Sequence, residues 1–287
     1  MDIINKLKSS EPVFSLEFFP PRRDMPLSTV YDSIDALSAY DPAFVSVTYG
    51  AGGSSRGRTV DIVSHVKQHA KTEAIAHLTC VGATPEQIDS VLGELDAGGV
   101  KNILALRGDL PDGMSRAEAY THFAFANDLI SHIKQKGGYT VAAAAYPEGH
   151  VENDTFKESL AYTRRKADAG ADFFITQLCF DSEAINRFFE QLYKAGIFVP
   201  VLVGIMPVLN PDQIVKMSLL SACSIPAGLS KLICRYGKNP DDFKKAGLEY
   251  AVKQIDYLQR NSINKFHLYT MNKTEATAQI IRDSGLG

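Results

Sequence analysis

Two stretches of this chain carry residue types that could do chemistry. The first is Ser15-Leu16-Glu17-Phe18-Phe19-Pro20-Pro21, in which a glutamate sits among apolar neighbours. A carboxylate in such company is a candidate for a raised pKa and general-acid work, although Glu17 also reads as a core carboxylate paired with an arginine. The second is Arg107-Gly108-Asp109, which abruptly ends the apolar run Ile103 to Leu106. A run apolar on both faces is a buried parallel-type strand, and its C-terminal end is where parallel α/β folds build their sites. The triplet also matches an adhesion tripeptide, which its junction with a buried strand argues against. His77 and His267 stand open between site residues and satisfied core histidines. His77 and Cys80 are three apart, so on a strand they face opposite sides and cannot share a metal; no metal is expected.

The whole chain repeats the pattern of the second stretch. Eight apolar runs end in polar or glycine-rich residues: Val13 to Phe19, Phe44 to Tyr49, Ala74 to Thr79, Ile103 to Leu106, Thr140 to Tyr146, Phe173 to Leu178, Val199 to Ile205 and Lys265 to Tyr269. Most are separated by a segment of helical length and periodicity, the run starts recurring at roughly 30 to 40 residues, which is a βα repeat. Thr84-Pro85-Glu86-Gln87 and Asn210-Pro211-Asp212-Gln213 both read as an N-cap, a proline at the first helical position and a capping-box partner. For Gln213 that leaves a capping role and a site role both open. The longer last interval should hold a helix after Pro211, a loop from Pro226 to Asn239 and a long helix from Pro240 to Arg260. A doubly wound dinucleotide fold would show a Gly-x-Gly-x-x-Gly turn after its first strand, and Val13 to Pro21 has no glycine. The expected fold is therefore α/β, a single (β/α)8 barrel over residues 1–287.

Composition narrows the function classes. With 287 residues, 45% apolar and 22% charged, the chain has material for one large core, and a net charge of −3 gives no electrostatic reason to expect nucleic acid or an anionic membrane. No signal-peptide core and no window of about 18 apolar residues is present, so a cytoplasmic location is expected. Cys80, Cys179, Cys223 and Cys234 lack Cys-x-x-Cys spacing and read as buried reduced thiols. The local basic residues Arg164, Arg165 and Lys166 remain open to a phosphate ligand.

In a barrel the strand ends converge on one mouth. Here they bring Glu17, then Thr48-Tyr49-Gly50-Ala51, His77-Leu78-Thr79-Cys80, Arg107-Gly108-Asp109, Tyr146-Pro147-Glu148-Gly149-His150, Thr176-Gln177, Met206-Pro207 and His267-Leu268-Tyr269-Thr270-Met271-Asn272 to one place. That mouth is polar, aromatic and acidic at once.

These segments, with Phe44 to Ala51 and Leu106 to Pro111, together resemble the bacterial 5,10-methylenetetrahydrofolate reductases, in order and over essentially the whole chain. The resemblance implies a barrel carrying FAD that passes a hydride to methylenetetrahydrofolate, yields 5-methyltetrahydrofolate, and so serves one-carbon metabolism and methionine biosynthesis. It places Glu17 on the family's general acid and Asp109 on a carboxylate beside flavin and folate. It places Thr48, Tyr49, Ala51, His77, Arg107, Gly108, Asp109, Ala126, Tyr146, His150, Arg165 and Lys166 on cofactor-binding positions. Gln177, Gln213 and Lys273 fall on the substrate side. NADH or NADPH is the implied donor, with an iron–sulfur partner subunit as the alternative, and a homo-oligomer is expected.

Phe125 stands where relatives carry tyrosine, Met217 where an aromatic covers ligand, and Lys273 where an arginine is usual. The regulatory domain of eukaryotic relatives is expected to be absent. Two rival readings keep the barrel: a pterin-binding methyltransferase that needs no flavin, and a flavin subunit reduced by a partner protein.

Overall fold

Alternate residues of a strand face opposite sides, and that parity decides what lines the centre of this molecule. The structure is a computed structural model that describes residues 3–49, 56–70, 72–111 and 113–287. Eight parallel strands close in sequential order: β1 (Val13–Phe18), β2 (Phe44–Val47), β3 (Glu73–Thr79), β4 (Asn102–Leu106), β5 (Thr140–Ala145), β6 (Phe173–Thr176), β7 (Val201–Ile205) and β8 (Lys265–Tyr269). The barrel shuts where β1 pairs with β8, Ser15 opposite His267 and Glu17 opposite Tyr269. That pairing excludes an open doubly wound sheet.

Around the barrel run α1 (Ile3–Lys8), α2 (Ser28–Ser38), α3 (Arg56–His69), α4 (Pro85–Ala97), α5 (Arg116–Ala119), α6 (Ala126–Lys136), α7 (Phe156–Asp168), α8 (Ser182–Lys194), α9 (Pro211–Ser221), α10 (Ala227–Tyr236), α11 (Pro240–Arg260) and α12 (Thr274–Asp283). Several strands stop one or two residues before their apolar runs do, so Phe19, Thr48, Tyr49, Tyr146 and Gln177 belong to loops at the mouth.

One set of strand residues, including Leu16, Phe18, Val45, Ala76, Leu78, Ile103 and Leu268, packs outward against the helices. The inward set, Phe44, Ile75, Leu104, Ala142, Phe173, Ile175 and Leu202, fills the lower barrel, where Ile3 and Leu7 of α1 join it. A third cluster, with Phe180, Met206, Ile214, Leu229 and Phe243, seats α9 to α11. The segment expected to be a loop from Pro226 to Asn239 is mostly the helix α10. Its prolines and glycines sit at the ends, while Leu229 is buried and Leu232 and Ile233 pack on the same cluster.

The first capping box forms as read, with Gln87 N donating to Thr84 Oγ1 at 3.3 Å and Thr84 N to Gln87 Oε1 at 2.9 Å. At α9 only half of the second one forms. Asn210 accepts from Gln213 N at 2.8 Å, but the Gln213 side chain accepts from Leu209 N at 3.2 Å. Cys80, Cys179 and Cys223 are buried free thiols, whereas Cys234 is exposed, against the expectation for all four. Among the described residues no helix is long and apolar enough to cross a membrane, and no group of three or more His, Cys, Asp or Glu is arranged to hold a metal.

Candidate active site

Above the apolar filling, the inward positions of β1, β2, β3 and β8 become polar: Ser15 and Glu17, Ser46, His77, His267 and Tyr269. Glu17 Oε2 lies 3.3 Å from His267 Nε2 and 3.4 Å from His77 Nε2. Behind it, His267 Nδ1 is 2.7 Å from Ser15 Oγ, and Ser46 Oγ is 3.3 Å from His77 Nε2. The Tyr269 hydroxyl donates to Thr176 O at 2.6 Å. Its ring fits only because residue 204 is glycine: a Cβ there would stand 2.5 Å from Tyr269 Cε2 and 2.8 Å from Thr176 O. All of these polar side chains but Tyr269 are buried, and a chain of hydrogen bonds in such surroundings is held stiffly.

The electrostatics correct the expectation that apolar neighbours keep Glu17 protonated. Leu16 and Phe18 point outward, and the groups that face the carboxylate are the two histidines. Burial pushes the Glu17 pKa up, but the hydrogen bond from His267 and the charges of His77 and His267 together outweigh it, leaving the carboxyl below its ordinary range. His77 moves down to about 4, because burial outweighs the attraction of Glu17. At neutral pH the ligand-free site therefore holds an anionic Glu17 beside a neutral His77. Burial raises the Tyr269 phenol well above its ordinary value, so it stays a hydrogen-bond donor.

Two cavities open from this region. One, of about 350 Å³, is lined by Glu17, His77, Gly108, Asp109, Gln177 and Tyr269 among others. The second, of about 320 Å³, lies between the ends of β4 and β5 and the helices α6 and α7. Arg107, Tyr146 and His150 line both, so the two chambers share a wall. The second chamber is cationic. Lys166 of α7 is buried in it, donates to Ala144 O at 2.8 Å and stands 5.1 Å from the centre of the Tyr146 ring. Burial and the nearby Arg107 pull its pKa to about 8, and no carboxylate among the described residues pairs with it. Phe125 and Tyr162 add an aromatic pair at 5.1 Å.

The structure thus gathers most of the residues expected at the site. Thr48, Tyr49, His77, Gly108, Asp109 and Gln177 line the first chamber with Glu17; Ala126 and Lys166 line the second; Arg107, Tyr146 and His150 join them. Three residues stand apart. Arg165 is exposed, its guanidinium 4.8 Å from the centre of the Tyr162 ring, and it lines neither chamber. Gln213 and Lys273 lie on α9 and at the start of α12, outside both linings. Ala51 falls outside the described residues. Sequence reasoning assigned no site role to Ser15, Ser46 or Tyr269, left His267 open, and passed over Glu152, whose carboxylate lies 2.6 Å from Arg107. The first two were within reach, since Ser15 precedes Glu17 by two residues on one strand face and Ser46 precedes Thr48 in the same way.

A closed barrel with an acid–histidine array at the C-terminal ends of its strands and a cationic chamber beside it is that of a (β/α)8 enzyme. Residues 2–285 match the family model described as methylenetetrahydrofolate reductase. The chain is 37% identical over 272 residues to the 5,10-methylenetetrahydrofolate reductase of Escherichia coli (strain K12), covering 95% of this chain and 90% of that protein. It is 33% identical to "Methylenetetrahydrofolate reductase (NADH) 1" of Arabidopsis thaliana, covering 100% of this chain but 51% of the plant protein. This chain belongs to the methylenetetrahydrofolate reductase family. A Clostridium thermocellum protein described as binding two copies of 5-methyl-5,6,7,8-tetrahydrofolic acid shares the fold, with a TM-score of 0.70 at 16% identity over 99% of both chains.

Proposed function

We propose that this chain reduces 5,10-methylenetetrahydrofolate to 5-methyltetrahydrofolate, using FAD held across the two chambers and a nicotinamide donor. The observation that carries this reading is the pairing of chambers: an acid–histidine floor in one, and in the other a buried lysine without a carboxylate partner among the described residues. A long ligand with a flat ring at one end and a pyrophosphate further along fits that division, with Lys166 and Arg107 as the phosphate-holding groups and Phe125 and Tyr162 as the adenine wall. Bound FAD would supply the hydride relay.

The protein's own part is protonation and charge. Opening the five-membered ring of the substrate needs a proton at the arm-side nitrogen and leaves a cation on the pterin side. Glu17 is the residue placed to give that proton. Burial is already the strongest influence on its carboxyl, and a ligand laid over the chamber removes more water, so binding raises its pKa toward the working range. His267, backed by Ser15, stands next to Glu17 and is placed to restore the proton. Tyr269 is unsuited, because its phenol is held too weakly acidic. Asp109, exposed at the mouth, offers a carboxylate to the developing cation.

Visible spectroscopy of the purified protein tests this reading. A yellow protein that bleaches on anaerobic addition of NADH or NADPH, and regains colour with methylenetetrahydrofolate, is expected; the name of the plant relative makes NADH the first donor to try. A protein that stays colourless after FAD is added would overturn it, and bleaching by neither nucleotide would move the donor role to a partner protein.

A further inference from the structure

We propose that Glu152 is an internal counter-ion that occupies Arg107 in the ligand-free protein and competes with the pyrophosphate of the cofactor for it. This rests on the flavin reading above and concerns what sets the affinity of the second chamber.

Arg107, Lys166, Arg116 and His150 all line that chamber, and among the described residues Glu152 is the only carboxylate that does. Glu152 divides its two oxygens: Oε2 lies 2.6 Å from Arg107 Nη1 and Oε1 lies 3.2 Å from Arg116 Nη2. The first pair is the substantial one, since the Arg107 side chain is 18% exposed while that of Arg116 is 69% exposed and screened by water. The Arg107 guanidinium also lies 5.2 Å from the centre of the Tyr120 ring. The pair shows in the carboxyl itself, which Arg107 pulls below its ordinary range.

An arginine in a charge-assisted hydrogen bond with a carboxylate offers an incoming phosphate fewer free donors, and the carboxylate repels the incoming charge. Glu152 therefore stabilises the empty chamber and works against the filled one. Because the pair is at the chamber wall and the Glu152 side chain is 33% exposed, the carboxylate can turn to solvent when an anion arrives. Lys166 has no such competitor among the described residues, so the two cations divide the work: Lys166 is available from the start and Arg107 is released by exchange. A free phosphate faces the same competitor with no ring contacts to offset it, which favours a dinucleotide over small anions.

The test is titration of the flavin-free protein and of Glu152→Gln with FAD and, separately, with riboflavin, which lacks phosphate, followed by quenching of flavin fluorescence. The variant should bind FAD roughly tenfold more tightly, the order of one charge-assisted hydrogen bond, and riboflavin within about twofold of the native protein. Melting adds a second readout. Flavin-free Glu152→Gln should melt below the native protein and the FAD-loaded variant above it, whereas a merely structural role would lower both. Glu152→Ala should follow the same directions. Unchanged or weaker FAD binding in both variants, or equal tightening for FAD and riboflavin, would overturn the role of Glu152. A native protein that binds neither flavin would overturn the flavin reading and this proposal with it.

Discussion

Replacing His77 by glutamine should remove a pH dependence from the stability of the whole barrel. The imidazole is buried, touches Ser46 and Glu17, and has its pKa pulled from 6.5 to about 4. In the unfolded chain it returns to its ordinary value, so between those limits the unfolded state binds a proton that the native state refuses. A base with a depressed native pKa leaves stability full above the unfolded value and eroding as pH falls toward the native one. At ~1.4 kcal/mol per pH unit, a fall from 6.5 to about 4 corresponds to about 3 kcal/mol lost across this window. Glu17 acts in the same direction further down. Its depressed pKa gives stability that is present above the ordinary carboxylate range and lost as pH falls through the native value. Glutamine keeps a polar contact to Ser46 but cannot titrate in this range. Urea unfolding of the flavin-free protein at several pH values from above 6.5 down to about 4 should show native stability falling steeply and the variant less so, the two curves closing by about 3 kcal/mol. Parallel curves for both proteins would refute the argument and mean that His77 is not held neutral by its burial.

Glu17→Gln should leave flavin reduction by the nicotinamide within a few-fold of native and slow reoxidation by methylenetetrahydrofolate by roughly 10² to 10⁴, the usual cost of a lost general acid; stopped-flow measurement of each half-reaction decides it, and equal impairment of both would make Glu17 a pocket-shaping residue. Lys166→Ala should weaken FAD binding by tenfold or more, on the order of a lost charge-assisted hydrogen bond, while Arg165→Ala changes it much less; equilibrium dialysis of the two variants distinguishes them, and equal losses would return Arg165 to the phosphate site. Gly204→Ala should cost on the order of 1 to 3 kcal/mol, because the added methyl meets the Tyr269 ring and Thr176 O. Chemical denaturation measures it, and native stability would mean that the ring has room to move.

Much of the barrel was legible because its signals are local. Apolar runs, the proline–capping segment at α4 and the absence of glycine after the first run all report on neighbours in sequence, and the strands lie where those runs are. The second helix of the long interval escaped because α10 is short and framed by Pro226 and Gly237, so its ends read as loop while its apolar face depends on contacts with distant residues. Glu17 shows the same limit at the site. Its sequence neighbours suggested an apolar pocket, yet on a strand those neighbours face away, and the groups that set its charge state arrive from β3 and β8, His267 at a separation of 250 residues.

Arg165 and Lys166 turn that limit into a rule of geometry. Consecutive residues of an α-helix point about 100° apart, so an adjacent basic pair cannot readily present both heads to one chamber when one of them is buried. Lys166 is the buried one, at the same helical face as Thr163 and Ser159, which are also buried. The spacing of three and four residues from Ser159 through Thr163 to Lys166 was readable in the sequence as the inward face of α7, and Arg165 lies off it. A resemblance carries both residues to the cofactor because it compares positions one by one. The helix periodicity separates them, with Lys166 on the buried face beside Ser159 and Thr163. Here that periodicity puts Lys166 in the chamber wall and leaves Arg165 exposed beside the Tyr162 ring, and the two alanine variants decide which of them holds the cofactor.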